Sequence, residues 1–190
     1  FKGFSVDGTP SDCVKIATQA LLDKQPDVIV SGINLGSNTG TNIIYSGTVS
    51  AATEGTMLKI PSVAVSLNTF GESDFAGAKT ASKRVVAHVL EKGMPAKTLL
   101  NVNVPAIPEN EIKGYKVTQQ GNVAFRDRFE KRVDPKGRVY YWMTGKMIDP
   151  DEESDMDHNA VLEGYVSITP IHYRLTNNDF LDELSSWEFS

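Results

Sequence analysis

The 190-residue sequence is short of cysteine, of positive charge and of long apolar runs, and each shortage removes a class of answer. A single cysteine, Cys13, leaves no internal disulfide to form, and no apolar segment with a small-residue cleavage site opens the chain. A reducing cytoplasm is therefore the expected compartment. Lysine and arginine number 19 against 24 aspartates and glutamates, a net charge of −5. That balance repels polyanions, so no long nucleic acid is expected as a partner, and any related ligand should be small and locally held. No stretch approaches the roughly 20 apolar residues that cross a bilayer, so no membrane span is expected. Histidine is scarce as well. His88 sits within a helical pattern and is read as a surface residue, while His158 and His172, with no nucleophile or ligand at telling spacing, are read as structural.

What is present is an ordinary globular mixture, 40% hydrophobic and 23% charged, at a length that suits one domain over residues 1–190. Thr9-Pro10-Ser11-Asp12 is a helix start: threonine can cap, proline suits the first helical position, and Asp12 can reach back as a capping-box partner. Val14, Ala17 and Leu21 then share one face of a helix expected to end near Asp23. Val28-Ile29-Val30 lacks alternation and reads as a strand buried on both faces, as in a parallel sheet. Residues 60–67 and 99–104 give further buried strands, and Ala81, Val85 and Val89 mark an amphipathic helix between them. Strand and helix alternate through this half, so the expected fold class is α/β with a doubly wound, mostly parallel sheet.

After about Gly114 the rhythm breaks. Residues 116–120, 125–133 and 138–143 have β character, and Asp134-Pro135-Lys136-Gly137 is turn chemistry. They predict a hairpin arm over 116–147, a C-terminal β extension of the core. An acidic run, 149–157, reads as a solvated loop. A strand over 165–170 and a helix over 179–189, within a tail of 175–190, complete the chain. The arm carries Phe125, Phe129, Val133, Val139, Tyr140, Tyr141 and Trp142. An isolated hairpin is marginal in water, so a second subunit is expected to cover these side chains.

The stretch SGINLGSNTGTNIIYSGT, 31–48, lies between a strand and a helix, where open α/β sheets place ligands. Glycines let backbone approach a ligand, and N–H groups with hydroxyls at a helix start favour an anion such as phosphate. The same residues equally serve tight turns and caps.

The runs SVDGTPSDCV, PDVIVSGINLGSN, YSGTVSAATEG, IPSVAVSL, LLNVNVP and EGYVSITPIH, in this order and spacing, resemble the SurE survival-protein nucleotidases. The resemblance implies a Rossmann-like fold, a 5′-nucleotidase hydrolysing nucleoside 5′- and 3′-monophosphates, and one divalent metal, Mg²⁺ or Mn²⁺, per subunit. It also implies a homodimer or tetramer joined through swapped C-terminal elements. Carried over by position, Asn34 matches a metal ligand, and Ser46, Gly47 and Thr48 match the segment lining the phosphate pocket. Thr9 and Asp12 match a motif near the same cleft, where they either serve the site or only cap a helix. Family members open with a strand ending in two aspartates and a glycine, and add a serine ligand from a later loop; neither is in this sequence. Asp149 with Asp151, and Asp155 with Asp157, follow no strand. The catalytic acidic pair is therefore expected upstream of Phe1, and the chain as written is expected to be inactive without it. The alternative function is a non-catalytic phosphate- or nucleotide-binding or oligomerisation module built on the same loop.

Overall fold

The computed structural model describes residues 3–71, 74–148, 153 and 155–189. Strands β1 (Ile29–Leu35), β2 (Ser62–Asn68) and β3 (Thr98–Pro105) lie side by side and parallel. β7 (Val166–His172) pairs antiparallel with β3, and β4 (Tyr115–Val117) closes the far edge parallel to β7. The sheet order is thus β1-β2-β3-β7-β4, the mostly parallel α/β sheet that the strand–helix alternation predicts.

The two faces of this sheet differ, and period-two alternation in the strands is the cause. Val63, Val65 and Leu67 of β2, with Val102 and Val104 of β3, point to one side. There they meet Ala78, Ala81, Val85 and Val89 of helix α3 (Ala76–Lys92). The opposite side carries Ser62, Ala64 and Ser66 of β2, Asn101 and Asn103 of β3, and Ser167 and Thr169 of β7, all buried. Helix α2 (Gly47–Met57) packs there through Val49 and Ala52 against Ala64 and Leu99. One face is a dry core and the other a buried polar layer.

Helix α1 (Pro10–Ile16) continues through a wider turn to Leu21, close to the expected end at Asp23, and Val14, Ala17 and Leu21 are half-buried, as are Ser11 and Thr18. β1 corrects the expectation of a strand buried on both faces. It pairs only with β2 among the described residues, so Val30 and Leu35 stay 44% exposed. Cys13 is exposed.

The arm is a hairpin of β5 (Ala124–Val133) and β6 (Val139–Ile148), paired without a bulge from Ala124↔Ile148 to Val133↔Val139. It starts later than the expected 116, because 115–117 join the main sheet as β4. Asp134 builds the turn by accepting hydrogen bonds from the backbone N–H groups of Lys136 and Arg138, both at 2.8 Å. Helix α4 (Asp157–Leu162) occupies the end of the acidic run, so Asp157 is buried rather than solvated; residues 149–152 and 154, with Asp149 and Asp151, lie outside the described residues. The terminal helix is shorter than the expected 179–189: a turn at Asn178–Phe180 leads into α5 (Leu181–Ser185). Phe180 and Trp187 meet edge to face at 5.7 Å in the tail that follows. Among the described residues no helix is long and apolar enough to cross a membrane.

Candidate functional site

The C-terminal end of β1 delivers Asn34, half-buried, into the loop that joins it to α2. The register of β1 on β2 shifts between Ser31 and Asn34. Gly32 permits that shift: its φ is +122°, and a Cβ there would run into the carbonyl of Val65. Asn34 Nδ2 donates to the carbonyls of Gly36, at 2.8 Å, and Leu35, at 3.3 Å. Two acceptors fix the amide's orientation and leave Oδ1 without a partner among the described residues. A hard amide oxygen at a strand end is a suitable single ligand for Mg²⁺ or Mn²⁺. It is not a metal site alone, and among the described residues no group of three or more His, Cys, Asp or Glu side chains could hold an ion.

Ser46 caps α2. Its Oγ accepts from the Val49 N–H at 3.1 Å, and the buried side chain is committed to that role. Gly47 and Thr48 follow as the first helical residues, with N–H groups that have no intrahelical acceptor. Thr48 is half-buried and plays no part in the cap, which separates its hydroxyl from the stability of the helix.

Thr9 and Asp12 form a complete capping box at the start of α1. The Thr9 N–H and hydroxyl donate to Asp12 Oδ2 at 2.9 and 2.7 Å, and the Asp12 N–H donates to Thr9 Oγ1 at 3.3 Å. The Thr9 hydroxyl bond, ahead of its backbone bond, holds the Asp12 carboxyl below the usual carboxylate range. The two helix starts abut, since a Cβ on Gly47 would sit 3.2 Å from Pro10 Cγ. The fold therefore gathers Thr9, Asp12, Ser46, Gly47 and Thr48 at one corner. A cleft of about 340 Å³ opens beside it, lined by Gly8, Pro10, Cys13, Ser31, Gly32 and Ala51 among others.

Sequence reasoning placed Asn38 in the candidate ligand loop but did not single out Ser66, Asn101 and Asn103, which join it in a buried network. The Asn38 N–H donates to Asn103 Oδ1 at 2.8 Å, and Asn38 Nδ2 donates to Ser66 Oγ at 2.6 Å. The Asn38 carbonyl accepts from Asn101 Nδ2 at 2.7 Å and from Asn103 Nδ2 at 3.1 Å. Asn101 Oδ1 is buried without a partner among the described residues, at a cost of about 1–3 kcal/mol. The signal was legible as Asn at period two in LLNVNVP, where a core strand would carry only apolar residues. Of the histidines, His158 approaches the loop: its Nδ1 lies 3.3 Å from the buried Thr39 Oγ1. His88 Nδ1 lies 2.8 Å from the Arg84 carbonyl on the exposed face of α3, a surface role as expected.

The chain is similar to known proteins in both sequence and fold. The family model described as survival protein SurE matches residues 1–127. A protein named 5′-nucleotidase SurE from Syntrophobacter fumaroxidans is 45% identical over 187 residues, 98% of this chain and 75% of that relative. One of the same name from Christiangramia forsetii is 47% identical over 190 residues, 100% of this chain and 73% of its own length. The crystal structure of the SurE protein from Aquifex aeolicus superimposes with a TM-score of 0.82 at 43% identity, covering 94% of this chain and 73% of that one.

Proposed function

The chain belongs to the SurE survival-protein family, and from that premise we propose that it is a 5′-nucleotidase, releasing phosphate from nucleoside 5′-monophosphates and also from 3′-monophosphates. What carries the reading is identity over nearly the whole of this chain with relatives named 5′-nucleotidase SurE, in a chain with an asparagine at the end of β1 and a capped helix start at α2. The non-catalytic alternative is not favoured, because the relatives bear the name of an enzyme.

Each residue's share follows from its position. The Gly47 and Thr48 N–H groups and the Thr48 hydroxyl donate to phosphate oxygens and stabilise charge that grows on them as the ester bond breaks. Ser46 holds those donors in place by closing the cap, and Thr9 and Asp12 fix the adjoining corner. SurE nucleotidases are generally metal-dependent, and Asn34 Oδ1 is the ligand this chain offers to Mg²⁺ or Mn²⁺, one ion per subunit. Such an ion stabilises negative charge on the phosphoryl group. The described residues do not complete its coordination. The working form we propose is a homodimer or tetramer joined through the arm and tail, acting in the cytoplasm on small nucleotides. Phosphate release from nucleoside monophosphates by the complete protein, with Mg²⁺ or Mn²⁺ supplied, tests the reading; binding without release would favour the non-catalytic module.

A further inference from the structure

Asp157 is fully buried at the first turn of α4, in a segment whose acidic composition reads as solvated. Three backbone amides from three segments converge on its carboxylate. The Gly40 N–H donates to Oδ2 at 2.9 Å and to Oδ1 at 3.1 Å, the Gly121 N–H to Oδ1 at 3.1 Å, and the His158 N–H to Oδ1 at 2.9 Å. Burial pushes this carboxyl above the usual range, and those N–H donors pull against it. Every donor is an amide N–H, so both oxygens are needed as acceptors.

We propose that Asp157 is a positioning residue for the phosphate-site loop, fixing Gly40 and thereby the spacing between Asn34 and the start of α2, and locking the root of the arm to the same point. Its effect on turnover rests on the nucleotidase reading; the tie itself rests on geometry alone. Gly40 has φ +55°, and a Cβ there would collide with the side chain and carbonyl of Val123, so glycine at this position lets the loop pack closely against the arm's root. The Thr41 N–H and hydroxyl both donate to the Val123 carbonyl, at 3.0 and 3.1 Å, and Gln120 Nε2 donates to the Gly40 carbonyl at 3.0 Å. Upstream, Asn38 is held on β3 by Asn101 and Asn103. The loop is therefore pinned at two points two residues apart, one neutral and one carrying a charge. Hydrogen bonds to an ionised acceptor are roughly twice as strong as neutral ones. β5 starts three residues after Gly121, so one carboxylate serves both the site loop and the arm.

Asp157→Asn keeps the shape but turns an NH₂ toward one of these N–H donors. The comparison is made in the complete protein beside Gln120→Ala, which removes an exposed partner of the same loop, and Val85→Ala, a core change on α3 across the sheet. Amide hydrogen exchange at Gly40 and Gly121 should quicken about 10- to 100-fold in Asp157→Asn. In Gln120→Ala exchange at Gly40 and Thr41 should quicken about 3-fold. Asp157→Asn should also lose about 10- to 100-fold in kcat/KM for a nucleoside 5′-monophosphate, the scale of a small misplacement of binding groups. Val85→Ala should show neither effect beyond its loss of global stability. Unchanged exchange at Gly40 in Asp157→Asn, or turnover matching Val85→Ala, overturns the proposal. If Asp157→Asn does not fold, unchanged exchange in Gln120→Ala overturns it. A wild-type protein without nucleotidase activity contradicts the proposed function instead, and the exchange comparison still decides the tie.

Discussion

At the scale of single residues, Asn34 and Thr48 carry chemistry that their neighbours do not. Asn34 spends its NH₂ on the Gly36 and Leu35 carbonyls and keeps Oδ1 for a ligand, so Asn34→Ala should leave the fold intact. Activity at limiting Mn²⁺ should fall at least about 10-fold, the scale on which lost supporting groups weaken metal sites. Near-wild-type turnover would remove the residue from the site. Ser46 and Thr48 separate two roles that the sequence leaves merged. Because Ser46 is the cap, Ser46→Ala should lower stability by about 1 kcal/mol in urea unfolding. Thr48→Val should leave the unfolding curve in place and weaken inhibition by inorganic phosphate. A destabilised Thr48→Val with an unchanged phosphate inhibition constant would reverse the assignment. The capping box Thr9-Pro10-Ser11-Asp12 was legible to the residue, since local hydrogen bonding decides it. Which hydroxyl of Ser46 and Thr48 caps α2 was not, because either can serve until the backbone geometry is fixed.

At the scale of elements, alternation of strand and helix was readable, and the chemistry of each sheet face was not. Hydrophobic runs such as IPSVAVSL announce burial, yet burial against α3 and burial under the site loop look alike in composition. Asn101 and Asn103 of β3 held the distinction, since two amides at period two on a buried strand need partners, and those partners come from a loop about sixty residues earlier. Asn103→Ala strips the Asn38 N–H of its acceptor and should destabilise the protein by about 2 kcal/mol, with slower turnover because the loop loses one of its anchors. Equal stability in a denaturant titration would show that water replaces the amide at no cost. β1 defeated its run of apolar residues for a different reason. Its place at the sheet edge is a property of pairing order, which a local pattern does not encode.

For the whole molecule, the arm and the site belong to one argument about assembly. Along the hairpin, Phe125, Phe129, Val133, Val139, Tyr141, Met143 and Met147 share one face by alternation. Arg126, Arg128, Arg132, Tyr140, Trp142 and Lys146 share the other, with the Arg132 guanidinium 5.0 Å from the Trp142 ring centroid. Tyr140 and Trp142 thus leave the apolar group in which the sequence places them. Phe129, Val133 and Tyr141 are each more than 60% exposed, an apolar face that a second subunit would cover. Deleting 122–144 and closing the gap with a short Gly/Ser turn should give a smaller oligomer by light scattering, and an unchanged state would remove the arm as the joint. The central claim, a nucleotidase whose loop carries Asn34 and the start of α2, is tested most directly by phosphate release from nucleoside 5′-monophosphates in the complete protein with Mg²⁺ or Mn²⁺, wild type beside Asn34→Ala. The account predicts nucleoside and phosphate in equal amounts from the wild type and a collapse of turnover in the variant; nucleotide bound but never hydrolysed by the wild type would contradict it.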